Sequence, residues 1–171
     1  MVKPSRIILV GLPGCGKSTI GRMLGRRLDL PCIDLDFEIE KKIDCSIKSF
    51  FQKNGEAQFR NIESLVLKDV LSSNGSFVLA TGGGVVLKED NRLLLLPEYV
   101  VYLSSLPGDL LKRVGSDDTR PLLQTDDLLV TLSVLFQTRH PLYELVADFV
   151  IATSGKSASK LTDEIISGIC L

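Results

Sequence analysis

Long apolar runs, closely spaced cysteines and an excess of either charge are missing from this sequence, and it holds a single histidine. Each absence removes a class of function. No apolar stretch approaches the roughly 18 residues that a bilayer-spanning helix needs, and residues 1–6 lead directly into a short apolar run without a signal-peptide pattern. Cys15, Cys32, Cys45 and Cys170 form no CxxC pair and sit among apolar neighbours. That argues against zinc sites or a disulfide framework, and for reduced thiols in a cytoplasmic protein. With 20 basic and 21 acidic residues the net charge is −1, so no global field draws the chain toward nucleic acid or a membrane. An anionic ligand has to be held by local groups.

What is present is a balanced globular composition, 44% hydrophobic and 24% charged, with no repeat, low-complexity tract or linker. We expect one domain over residues 1–171. Short apolar strand signals at residues 7–10, 31–33, 77–80, 100–103 and 149–152 alternate with helical patterns at 17–28, 56–71, 107–114, 127–136 and 158–169. Buried-looking strands separated by helices indicate crossover units and a parallel sheet covered on both faces, an α/β three-layer sandwich. Ligands of such sheets bind beyond the carboxyl ends of the strands, and the polar motifs fall there. Residues 115–127 (GSDDTRPLLQTDD) break the pattern with glycine, proline and acids around one arginine, which reads as a surface loop that closes as a lid.

The most specific motif is Gly11-Leu-Pro-Gly-Cys-Gly-Lys-Ser18, a match to G-x-x-x-x-G-K-[ST] placed after a strand and opening a helix. Glycine lets backbone N–H groups curl round phosphate oxygens, so Gly14, Cys15 and Gly16 are expected to line ATP. The helix N-terminus adds roughly half a positive charge at the same point. Lys17 can reach the β- and γ-phosphates, Ser18 can ligate Mg²⁺, and Thr19 can touch the α-phosphate. The motif alone does not separate kinase, GTPase and ATPase, although no NKxD segment is present to select guanine.

Asp34 and Asp36 follow the second strand. On an extended chain, residues two apart point to one side, and two carboxylates there need a cation or a hydroxyl partner. One could hold a metal-bound water while the other accepts the proton of an attacking hydroxyl. The competing reading is a helix N-cap, where aspartate is favoured. Arg60 lies on a helix with Glu63 one turn on to orient it. Gly82-Gly83-Gly84 follows the third strand, where backbone can approach a ligand closely. Arg139 has the guanidinium suited to bidentate carboxylate recognition. Arg120, in the lid-like loop, could neutralise charge that develops during transfer. Arg113 either stacks on the base or is a solvated helix end. His140 is read as structural, because phosphoryl transfer depends on positioning and electrostatics more than on a histidine base.

Taken together, GLPGCGKST at 11–19, IDLD at 33–36, GEAQFRNIE at 55–63, TGGG at 81–84, RPLL at 120–123 and RHPLYELVAD at 139–148 resemble the shikimate kinases. These are small members of the nucleoside-monophosphate-kinase-like P-loop proteins, and the resemblance covers nearly the whole chain. It implies a five-stranded parallel sheet of order 2-3-1-4-5 and transfer of the γ-phosphate of ATP to shikimate with Mg²⁺, a step of aromatic amino-acid synthesis. By the same resemblance Asp36 holds the substrate hydroxyls and acts as base, and the substrate-binding region spans about residues 34–63. Arg60, Arg139 and the backbone at Gly82, Gly83 and Gly84 hold the substrate and its carboxylate. Ser18 binds Mg²⁺ with Asp34 acting through water, and Lys17 and Arg120 serve catalysis. Lys156 stands where relatives often place an arginine near the adenine, so it joins Arg113 as an expected ATP contact. A monomer with ATP and shikimate as its only partners is expected. Two rivals stay open: another small-metabolite kinase, such as a gluconate or nucleotide kinase, and a P-loop regulatory switch.

Overall fold

The computed structural model describes residues 4–114 and 127–169. At its centre is a parallel sheet of β1 (Arg6–Val10), β2 (Cys32–Asp34), β3 (Phe77–Ala80), β4 (Tyr99–Ser104) and β5 (Phe149–Ala152), in the order β2-β3-β1-β4-β5. The expected strand order is the observed one. In register, Ile7 lies opposite both Val78 and Tyr99, Asp34 opposite Ala80, and Tyr102 opposite Val150. The middle strands read as unbroken apolar runs because both faces are covered: Ile7–Val10 and Val78–Leu79 are at most 1% exposed. Each such aliphatic side chain contributes about 1.5–3 kcal/mol of transfer free energy.

Seven α-helices lie among the described residues: α1 (Lys17–Leu28), α2 (Leu35–Ile43), α3 (Ile47–Leu71), α4 (Glu89–Leu95), α5 (Pro107–Val114), α6 (Leu128–Val146) and α7 (Ala158–Ile169). Helix α1 packs on α7 and β3, α2 on α3, and α5 on α6, completing the three-layer α/β/α sandwich. None of them is long and apolar enough to cross a membrane. Cys15, Cys32 and Cys45 carry free thiols, and Cys170 lies outside the described residues.

Several expected boundaries are corrected. The second strand begins at Cys32 rather than Pro31, because proline has no N–H to give to the ladder; the Pro31 carbonyl still accepts from Val78 N at 2.9 Å. Helices α2 and α4 are absent from the expected helical stretches, although the N-cap alternative at Asp34 and Asp36 allowed for a helix at α2. Helix α3 starts at Ile47, with Ser46 as N-cap, and breaks at Gly55 (φ 78°, ψ 174°) before its second half, residues 56–71. Helix α6 was expected over residues 127–136 but runs to Val146, straight through Pro141. Proline costs one backbone hydrogen bond there, yet burial of Arg139, Tyr143 and Val146 beyond Leu132 on the inner face carries the helix on. Asp127, placed in the lid on sequence grounds, is instead the N-cap of α6, its carboxylate accepting from Val130 N at 3.0 Å. The remainder of the expected lid, residues 115–126, lies outside the described residues, and Arg120 with it.

Candidate active site

The phosphate loop connects β1 to α1. Gly11 (φ 148°), Gly14 (φ 83°) and Gly16 (φ 100°) all take left-handed backbone, which L side chains rarely adopt. Helix α1 opens at Gly16 with no side-chain cap and no acidic residue in its first turn, so its N–H groups and positive dipole end face the loop uncompensated, as an anion requires. Lys17 is only 8% exposed. Its ammonium donates to Gly11 O at 2.8 Å and Leu12 O at 2.9 Å, with Cys15 Sγ at 3.5 Å. A fixed cation is thus clamped inside the loop. The Cys15 side chain is buried, and its N–H closes the loop onto Leu12 O at 3.3 Å.

The acidic pair straddles the change from strand to helix, with Asp34 extended and Asp36 helical. Asp34 ends β2 and caps α2, with Oδ1 accepting from Asp36 N at 3.1 Å and Phe37 N at 3.5 Å, so the N-cap reading is correct for Asp34. Its other oxygen, Oδ2, accepts from Ser18 Oγ at 2.6 Å. The cap therefore leaves Asp34 free to meet the phosphate loop. Asp36 sits in the first turn of α2 and faces the glycine stretch.

That stretch follows β3 and explains its own composition. A Cβ at Gly82 would lie 3.0 Å from both Asp36 Oδ1 and Glu63 Oε1; one at Gly83 would lie 2.7 Å from Pro13 Cδ of the phosphate loop. At Gly84 it would fall 2.2 Å from Arg60 Nη1, inside the guanidinium. Glycine alone admits this approach. Arg60 is braced on both sides, by Glu63 Oε2 at 2.8 Å from Nη1 and by Glu56 Oε1 at 3.0 Å from Nη2 and 3.2 Å from Nε. Three of the five N–H donors of a guanidinium are thereby used.

Burial and charge compete at this end. Glu63 is 1% exposed, and desolvation pushes its carboxyl up although Arg60 pulls it down. Its Oε1 has no hydrogen-bond partner among the described residues. For Arg60, burial lowers the pKa but Glu63 and Glu56 outweigh it, and the net direction is up. Arg139, on α6 and 4% exposed, is held below the usual arginine range by burial and by repulsion from Arg60. Two buried guanidinium groups that sense each other, beside a carboxylate pair, suit an anionic ligand that also carries hydroxyls.

At the far end of the sheet, Arg113 donates to Thr153 O at 3.2 Å and Thr153 Oγ1 at 3.4 Å. Lys156, three residues on, pairs with Glu164 Oε2 at 2.5 Å. Arg113 thus holds the start of the loop after β5, and Lys156 of that loop is tied to α7. His140 is packed between α6 and β4: its Nδ1 pairs with Tyr102 Oη at 2.9 Å and its ring stacks on Phe136. Sequence reasoning missed Glu56 and Tyr143. Their signal was present as the i, i+4 spacings 56/60 and 139/143, which place each beside an arginine on one helix face.

A protein-family model described as shikimate kinase matches residues 13–170. The shikimate kinase of Paracidovorax citrulli is 46% identical over 162 residues, covering 93% of this chain and 88% of that protein. Among solved structures, the shikimate kinase of Acinetobacter baumannii in complex with shikimate superposes with a TM-score of 0.94 at 39% identity, covering 98% of this chain and 93% of that one. A gluconokinase from Sinorhizobium meliloti, 15% identical, covers 99% of this chain and 94% of its own with a TM-score of 0.66. That likeness extends to the fold alone.

Proposed function

The chain belongs to the shikimate kinase family, and on that premise we propose that its crevice carries the γ-phosphoryl group of ATP to the 3-hydroxyl of shikimate, giving 3-phosphoshikimate and ADP. The observation that carries this reading is the glycine stretch 82–84, which touches Asp36, Glu63 and Arg60 on one side and Pro13 of the phosphate loop on the other. Acceptor and nucleotide groups from distant parts of the sequence thus share one crevice.

In this reading Gly14, Cys15, Gly16 and Thr19 surround the phosphates with backbone and hydroxyl donors, and Lys17 supplies fixed positive charge over the β- and γ-phosphates. Asp36 accepts the proton of the 3-hydroxyl as its oxygen bonds to phosphorus and the bond to ADP breaks. Arg60, Arg139 and the Gly82–Gly84 backbone hold the acceptor and its carboxylate. Arg113 and Lys156 serve the adenine end, and Arg120 closes over the phosphates from the lid. Residues 34–63 form the acceptor-binding region of a single-domain, monomeric, cytoplasmic enzyme.

The Ser18 hydroxyl and Asp34 carboxylate, 2.6 Å apart at the mouth of the loop, are hard oxygen donors that fit Mg²⁺. No group of three or more His, Cys, Asp or Glu residues that could hold a metal occurs among the described residues. That too suits Mg²⁺, which takes one or two protein ligands and completes its shell with phosphate and water. Ser18 would hold the ion directly and Asp34 through water. Bound there, Mg²⁺ supplies charge neutralisation on the phosphate oxygens.

The test is coupled ADP release with shikimate or gluconate as acceptor, with and without Mg²⁺. Mg²⁺-dependent turnover of shikimate is expected. Strong turnover of gluconate with none of shikimate would overturn the reading in favour of the rival sugar-acid kinase.

A further inference from the structure

Tyr143 is a buried group that the proposed mechanism does not use. It lies four residues after Arg139 on α6, so both side chains share the inner face of the helix. Tyr143 is 0% exposed. A phenol buried this completely needs a hydrogen-bond partner, and its hydroxyl donates to Gly83 O. The guanidinium of Arg139, one turn back on the same face, lies close enough to interact electrostatically with this phenol. One oxygen atom is therefore bonded to one of the groups assigned to the acceptor and neighbours another.

The ring is held as firmly as the hydroxyl. It packs on the fully buried Tyr102 of β4 with centroids 4.9 Å apart and planes tilted by 31°, and Tyr102 is itself fixed to His140 at 2.9 Å. From the other side Gly83 rests on Pro13, with room for no Cβ between them. Three consecutive glycines would otherwise give the backbone wide torsional freedom, and an arginine side chain many rotamers.

We propose that Tyr143 is a positioning residue for the acceptor carboxylate: its buried hydroxyl locks the Gly83 backbone and the Arg139 guanidinium into one preformed grip. This rests on the reading that Arg139 and Gly83 hold that carboxylate. Because the phenol donates its single proton to Gly83 O, it turns only lone pairs toward the neighbouring Arg139 cation. Removing the hydroxyl frees Gly83 O to find other orientations and takes a favourable dipole from beside Arg139, while the ring packing stays.

The experiment compares kcat/KM for shikimate with that for the analogue in which the ring carboxylate is a primary alcohol, in wild type, Tyr143→Phe and Tyr102→Phe. The ratio of the two values is independent of how much enzyme is folded, so a loss of stability alone does not move it. Wild type should prefer shikimate strongly. Tyr143→Phe should compress that preference about 10-fold, the scale of one hydrogen bond in a charged network, mostly through the KM for shikimate and with the KM for ATP unchanged. Tyr102→Phe, which removes a neighbouring buried hydroxyl, should keep the wild-type ratio. If wild type shows no preference, the carboxylate assignment itself falls and this inference with it. If wild type discriminates and Tyr143→Phe does so equally, only the role of Tyr143 is overturned. An equal loss in both variants assigns the effect to losing any buried hydroxyl in this cluster rather than to the Tyr143 bond, and also overturns it.

Discussion

Residues 11–19 build the phosphate end of the crevice from one unbroken stretch, and they do it largely with backbone: three glycines at positive φ and the uncapped start of α1. The acceptor end is assembled from four separated pieces, namely Asp36 on α2, Arg60 and Glu63 on α3, the glycines after β3, and Arg139 on α6. Its charges are side chains, several are nearly buried, and their pKa values are displaced in both directions. A backbone site is fixed by local conformation and tolerates the solvent at its mouth. A buried side-chain site depends on every partner being in place, since truncating one leaves a charge uncompensated. The phosphate end should therefore fail through loss of one cation or one glycine, and the acceptor end through small displacements.

The largest expected effect tests the phosphate end. Lys17→Met removes the clamped ammonium and should lower kcat by on the order of 10³ or more with every acceptor; near-normal turnover would remove Lys17 from the mechanism. Asp36→Asn comes next and separates the two ends. Loss of a proton acceptor costs about 10²–10⁴-fold in kcat, while ATP affinity, measured by calorimetry, should stay close to wild type because Asp36 belongs to the acceptor side. A parallel fall in ATP affinity would mean that the two ends are not separable.

The same contrast governs how much could be read in advance. The phosphate end was legible because its signal is contiguous: the glycine spacing, Lys17 and Ser18 lie in one run, between a strand and a helix that periodicity alone reveals. The sheet order followed from the resemblance of several such runs. Asp36, Arg60 and Arg139, proposed to hold the acceptor, stand out in the sequence as charged residues of distinct motifs, but their surroundings do not. Asp34 is simultaneously an N-cap and the partner of Ser18, so the two readings that the sequence set against each other are both met, because one residue decides where β2 stops and α2 starts. Gly84 matters through Arg60, 24 residues earlier in sequence, and Gly83 through Pro13 and Tyr143; no local pattern encodes such a contact. Beyond residue 136, Pro141 disfavours helix locally, while the burial that carries α6 past it to Val146 is tertiary.

Gly84→Ala sharpens the comparison at smaller scale. The new methyl would collide with the Arg60 guanidinium, whose flexible end can move away, so folding should survive. Displacement of a binding group by about 1 Å can cost roughly 10²-fold, and kcat/KM for shikimate should fall on that scale with the KM for ATP unchanged. By contrast Gly11→Ala meets the backbone oxygen of Leu103 at 2.7 Å with φ 148°, and should damage the loop and nucleotide binding together.

The smallest expected effect is on stability rather than turnover, and it concerns Glu63. Burial raises its carboxyl pKa above the ordinary value even with Arg60 opposing. The folded state then binds this proton more tightly than the unfolded chain, so the contribution of Glu63 to stability is complete below the usual glutamate value of about 4.3 and is lost as pH rises through the raised one. Glutamine does not titrate. The unfolding free energy of wild type minus that of Glu63→Gln, from urea denaturation between pH 4 and 8, should therefore decline as pH increases and then level off. A difference that grows with pH would mean the Arg60 pairing prevails over desolvation. The acceptor end would then be a satisfied ion pair like those of the surface, rather than a buried centre held in tension by the fold around it.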